Sequence, residues 1–130
     1  MRKPNESSAA GIATPALRVF MEIAEAWKLT HQEQAGILGV PVGVAQARLE
    51  AFEVNDLLPE TLQRISYLLG IYRALHTLFP NEQQANTWVR RPNTGAPFNG
   101  DTALRLMCSG RIGELATVRE YLEAQGISAP

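Results

Sequence analysis

The chain has 130 residues, with 12 basic against 13 acidic side chains, a formal net charge of −1, 45% hydrophobic and 19% charged residues. That is the composition of a folded globular domain with room for a core, and no apolar run nears the roughly 18 residues that a membrane span requires. A strongly basic nucleic-acid binder is excluded, because any contact with phosphate must come from local placement of charge.

The first residues, Met1 to Gly11, lack the apolar stretch of a secretory signal and read as a short mobile tail, so the protein is expected in the cytoplasm. Pro15 can open a first helix whose apolar stripe is Leu17, Phe20, Ile23 or Ala24, and Trp27, with Arg18, Glu22 and Glu25 facing away. Leu29 and Thr30 end it. Thr30 followed by Glu33 forms a capping-box pattern that starts a second helix through Leu38, and Gly39-Val40-Pro41 stops that helix. Residues 43–52 can form a third helix carrying Val44, Leu49 and Phe52 inward. Two short helices joined by a tight glycine-containing turn make a helix-turn-helix.

Pro59 begins the longest segment, which runs to Phe79 before Pro80. Leu62, Ile65, Leu69, Tyr72 and Phe79 mark one stripe; Leu68, Ile71, Leu75 and Leu78 mark a second. A helix apolar on two faces is a spine between two bodies, and Gly70 within it permits a close helix approach. Asn81 caps a short helix to about Val89, with Ala85 and Trp88 inward. Residues 90–100 are a loop dense in Pro, Gly and Asn. Asp101 caps a helix over Thr102 to Cys108, and a last helix, Ile112 to Gln125, buries Leu115, Val118 and Leu122 before a left-handed cap at Gly126. The fold class is therefore all-α: a tail (1–14), a helix-turn-helix region (15–58), a long central helix (59–79) and a small C-terminal helical domain (80–130).

Catalysis needs a nucleophile with a base, paired carboxylates in a cleft, or metal ligands at workable spacing. His31 and His76 are isolated, and the single cysteine, Cys108, has no second thiol and reads as structural. The expectation is a protein that is not an enzyme and carries neither metal nor cofactor. For DNA, the third helix offers only Gln46 and Arg48 as base-reading side chains, beside Pro41, Val42, Gly43, Val44, Ala45 and Ala47. Residues 15–58 hold three basic side chains against six acidic ones, so phosphate repulsion opposes docking. Residues 80–130 balance five arginines, Arg90, Arg91, Arg105, Arg111 and Arg119, against five acids. Arginine forks suit carboxylate, phosphate and partner recognition. With Trp88, Phe98 and Tyr121 they form either an interaction surface or, for the aromatics, part of the core; for Arg90 and Arg91, partner contact and simple solvation are both open.

Three stretches taken together resemble a known family. They are Trp27-x-Leu29-Thr30-x-x-Glu33-Gln34-Ala35-x-x-Leu38-Gly39-Val40, the run Arg64 to Pro80 with Leu68-Leu69-Gly70-Ile71 at its centre, and Trp88-Val89-Arg90-Arg91-Pro92-Asn93. Gly100-Asp101-Thr102-Ala103-Leu104, Met107, Ser109-Gly110 and Val118-Arg119-x-Tyr121-Leu122 continue the pattern, which resembles the MbcA/ParS/Xre antitoxins over nearly the whole chain. The resemblance implies an Xre-like helix-turn-helix joined to a C-terminal domain that neutralises a RES-domain, NAD-consuming toxin of a type II toxin–antitoxin module. It also implies a homodimer, larger hetero-oligomers with the toxin, and repression of the protein's own operon. Carried onto this sequence, the implied toxin contacts are Arg90, Arg91, Asn93, Arg119, Tyr121, Gly126, Ile127 and Ser128. The third helix departs from the family, which usually places Ser, Thr, Arg and a Trp where this chain has Pro41, Val42, Gly43, Val44, Ala45 and Arg48. Operator binding is therefore expected to be weak or to depend on assembly. The alternative is a helix-turn-helix regulator without a toxin.

Overall fold

Leucine, isoleucine and aromatic residues at helical spacing give six helices and no strand among the described residues. The computed structural model describes residues 4–43 and 59–128. In chain order the helices are α1 (Pro4–Ala26), α2 (His31–Leu38), α3 (Pro59–Leu78), α4 (Glu82–Thr87), α5 (Ala103–Met107) and α6 (Ile112–Ser128), with a short 3-10 turn at Trp88–Arg90 after α4.

Helix α3 is the spine, as its two apolar stripes require. Its Ile65, Leu68, Ile71 and Leu75 are buried, and it packs mainly against α6 and against α1. Helix α1 brings Leu17, Phe20, Ile23, Ala24 and Trp27 to the core; α6 brings Leu115, Val118 and Leu122. Burying side chains of this size is worth about 1.5–3 kcal/mol each before chain entropy is counted.

Several boundaries differ from expectation. Helix α1 starts at Pro4, ahead of the expected opening at Pro15, which instead lies inside the helix. Pro4 occupies a first-turn position where its missing N–H costs nothing, and Ala9, Ala10 and Ala13 are strong helix formers. Thr102, not Asp101, is the N-cap of α5; its hydroxyl accepts from the Arg105 N–H at 3.1 Å, while the Asp101 carboxylate accepts from the Thr102 N–H at 2.8 Å. The last helix does not end at Gly126 but continues to Ser128, and Gly126 is not left-handed. The expected helix over 43–52 lies outside the described residues beyond Gly43.

The α1–α2–turn geometry is built as the sequence predicts, with one addition. Thr30 and Glu33 form the capping box of α2, with Thr30 N–H donating to Glu33 Oε1 at 2.9 Å and Glu33 N–H donating to Thr30 Oγ1 at 3.0 Å. Gly39 closes α2 in the left-handed region at φ 72°. The C-terminus of α1 uses the same device without a glycine: Lys28 has φ 55°, its N–H donates to Glu25 O at 3.1 Å, and Leu29 N–H reaches Ala24 O at 2.9 Å. This is a Schellman end on a residue whose Cβ disfavours that conformation.

Helix α2 packs against the C-terminal domain. A Cβ on Gly36 would lie 2.6 Å from the carbonyl oxygen of Cys108, so α2 rests directly on the turn between α5 and α6. Cys108 Sγ donates to Glu33 O at 3.5 Å from the same turn.

Candidate functional site

Arg90 is the most heavily engaged of the predicted contact residues. It stands at the end of the 3-10 turn and reaches back to α1 and α2. Its Nε donates to Trp27 O at 3.3 Å, and Nη2 donates to Trp27 O at 3.0 Å and Lys28 O at 2.9 Å. Nη1 and Nη2 also meet Glu33 Oε2 and Oε1 at 3.1 and 3.0 Å, a fork on a carboxylate. A cation on the last carbonyls of a helix is favoured by the helix dipole. Neither simple solvation nor a free contact describes this residue: it ties the C-terminal domain to the end of α1 and the start of α2.

Arg64 performs the same task on the other end of α2, and sequence reasoning missed it. Its side chain is buried within α3; Nη1 donates to Ile37 O at 3.2 Å, Nη2 to Gly110 O, and Nε to Glu60 Oε2 at 3.1 Å. The guanidinium lies flat on Gly39, where any Cβ would overlap it. The signal in the sequence was an arginine in the middle of an apolar stripe, two residues after Leu62 and next to Ile65.

The electrostatics of this junction follow from its geometry. Burial alone would raise Glu33, but the Arg90 hydrogen bond, the Thr30 N–H and the Arg90 charge together hold its carboxyl below the ordinary value of 4.5. Cys108 sits half-buried beside that carboxylate; burial first, and the Glu33 charge second, push its thiol up to about 12. Such a thiol is protonated at neutral pH and chemically quiet.

The remaining candidates fall on the C-terminal domain. Arg91 is exposed and donates from Nη2 to Thr87 Oγ1 at 3.1 Å. Asn93 pins the loop that follows: its N–H donates to Asp101 O at 3.0 Å, and its carbonyl accepts from Gly100 N–H at 2.6 Å. Trp88 and Phe98 are buried and Tyr121 is half-buried, and the three rings form one cluster. Phe98 meets Tyr121 edge-on at 5.0 Å and Trp88 at 5.8 Å, and Trp88 stacks on Tyr121 at 6.3 Å. Trp88 is thus core, and Tyr121 shows one edge beside Phe79 and Gln125. Arg119 lies on the side of α6 that faces α3, half-buried and paired with Glu123 at 3.1 Å. Gly126 lines the groove between α3 and α6. Ile127 and Ser128 fall in the last turn of α6, and Gln46 and Arg48 lie outside the described residues.

His76 is structural in its contacts, its ring tilted against Tyr72 at 4.2 Å and within 3.0 Å of Asn86 Oδ1. Among the described residues no group of three or more His, Cys, Asp or Glu side chains could hold a metal, and no helix is long and apolar enough to cross a membrane.

Comparison with known proteins gives the class of this all-α domain. Residues 74–125 match the antitoxin Xre/MbcA/ParS C-terminal toxin-binding domain. Over 129 residues, 96% of this chain and 95% of the relative, the sequence is 36% identical to the uncharacterized protein y4oB of Sinorhizobium fredii (strain NBRC 101917 / NGR234). The chain belongs to the Xre/MbcA/ParS antitoxin family.

Proposed function

We propose that this protein is the antitoxin of a type II module and that it acts by binding a RES-domain, NAD-consuming toxin through residues 80–130. The observation that carries this reading is the match of residues 74–125 to a toxin-binding domain. Within that stretch Arg91, Arg119 and the edge of Tyr121 all reach the surface, on helices and a loop braced against the α3 spine. Inhibition by a preformed surface costs little conformational entropy on binding, which favours a tight complex. The protein acts in the cytoplasm, as a homodimer that joins larger assemblies with the toxin.

Operator binding is the weaker arm of the proposal. Supporting that, the expected base-reading helix offers only Gln46 and Arg48, and residues 15–58 carry a surplus of acids. We therefore infer that repression needs the assembled toxin complex, where two or more copies share the cost of approaching phosphate.

Co-expression tests the proposal. Expression of the product of the adjacent reading frame should arrest growth and consume NAD, and this chain should restore growth and co-purify with that product. Growth arrest that persists with the chain well expressed would refute the reading, and DNA binding with no stable protein partner would favour the plain regulator.

A further inference from the structure

The family assignment says that a partner binds, but not which chemistry the partner presents. The groove between α3 and α6 bears on that question. It is a depression of about 590 Å³ with Ala74, Leu78 and Leu122 among its apolar lining residues, and with Arg73, Arg119 and Glu123 as its charged ones.

Arg119 is held ready in this groove. Gly70 leaves a notch in α3 that it fills, because a Cβ there would lie 2.9 Å from Arg119 Nε and 3.0 Å from Cδ. Glycine in the middle of a helix is unfavourable relative to alanine. What approaches Gly70 is this side chain and not, as the sequence predicts, the backbone of a neighbouring helix. The guanidinium sits 5.7 Å from the centre of the Tyr67 ring, and its Nε donates to Glu123 Oε2 at 3.1 Å. Both terminal nitrogens have no hydrogen-bond partner among the described residues. Arg73 is exposed, and its guanidinium has no hydrogen bond or ion pair among the described residues. Two guanidinium groups and one carboxylate thus line the same groove, and that carboxylate engages only Nε of Arg119.

An exposed arginine ordinarily loses rotamer freedom when it docks; here the notch, the ring and Glu123 have already fixed it. The free fork of such an arginine matches a carboxylate with two parallel hydrogen bonds. The geometry points to the α3–α6 groove as the surface that receives an acidic segment of the partner protein. A carboxylate is seated on the terminal fork of Arg119 with Arg73 beside it, and the apolar side chains next to that carboxylate lie on Ala74, Leu78 and Leu122. This rests on the antitoxin reading and specifies the partner's chemistry at that site.

The test measures the affinity of full-length protein for the purified RES-domain protein by calorimetry, with circular dichroism to confirm that each variant is folded. Arg119→Ala is expected to weaken binding by at least about tenfold. Arg119→Lys keeps the charge but loses the fork and should recover only part of that loss. Gly70→Ala, which removes no charge but fills the notch, should weaken binding in the same direction and serves if Arg119→Ala does not fold. Arg73→Ala should add a smaller loss that shrinks as salt is raised, and Arg105→Ala, on the far side of the domain, should bind within about twofold of wild type. Folded Arg119 and Gly70 variants that bind like wild type would overturn the proposal while leaving the antitoxin reading intact. Variants that keep toxin affinity but change the protein's own sedimentation would assign the groove to a second copy and overturn it as well. Wild-type protein that fails to bind the RES-domain protein would instead refute the antitoxin reading itself.

Discussion

Arg90 and Glu33, 57 residues apart in the chain, are joined by two parallel hydrogen bonds of 3.1 and 3.0 Å. The same carboxylate caps α2 through the Thr30 N–H, and the same guanidinium holds the carbonyls of Trp27 and Lys28. One pair therefore fixes the end of α1, the start of α2 and the start of the loop that follows the 3-10 turn. Arg64 does the equivalent for the end of α2 and the α5–α6 turn. The two arginines tie α1 and α2 to the C-terminal domain.

Arg90→Ala is expected to lower stability by about 1–2 kcal/mol, the low end for charged hydrogen bonds because the side chain is partly solvated. Arg90→Lys should recover less than half of that, since a single ammonium cannot span Glu33 and both carbonyls. Thermal denaturation of the three proteins checks this, with shifts of several degrees for a chain of this size.

The Glu33 carboxyl lies below its ordinary value of 4.5 when folded. A carboxyl depressed by folding contributes stability that is present above its unfolded value and lost as pH falls through the folded one. The gap in melting temperature between wild type and Glu33→Gln should therefore be constant near neutrality and close as the pH falls below about 4.5. Melting curves over that range, with salt held constant, give the answer.

Two left-handed positions make opposite predictions. Lys28, at φ 55°, sits where glycine is free of strain, so Lys28→Gly should stabilise the protein by up to about 1 kcal/mol. Gly39, at φ 72°, has the Arg64 guanidinium pressed on its Cα, so Gly39→Ala should cost about 2 kcal/mol or more from strain and a displaced buried cation. Urea denaturation separates them by the direction in which the midpoint moves.

Cys108, with its thiol pushed up to about 12, should react with iodoacetamide at neutral pH at least about tenfold more slowly in the native protein than in urea. Glu33→Gln removes one of the two causes and should speed the native reaction. Mass spectrometry of timed samples reports both rates.

Much of the fold was legible because its signals are local. The Thr30–Glu33 box, the Gly39 stop and the α3 stripe of Leu68, Ile71 and Leu75 each need only a few neighbouring residues to be recognised, and each is present, whereas of the other stripe only Ile65 is buried. The start of α1 was not, because Pro15 reads as a helix opener while the alanines before it carry the helix back to Pro4. The site was harder still. Arg90 in sequence is an arginine in a loop, and nothing local says that its partners lie on Trp27, Lys28 and Glu33. Arg64 in sequence is one arginine within an apolar stripe, and Gly70 reads as a helix contact, whereas the Arg119 side chain fills its notch. Long-range hydrogen bonds leave no periodic trace.

The most direct test is to follow NAD consumption by the purified product of the adjacent reading frame, the proposed RES-domain toxin, while the full-length protein is titrated in. Neutralisation by docking predicts that NAD loss falls in proportion to the added protein and stops near a fixed stoichiometric ratio, with Arg119→Ala requiring a clear excess to reach the same point. NAD loss that continues unchanged with folded wild-type protein in excess would contradict it.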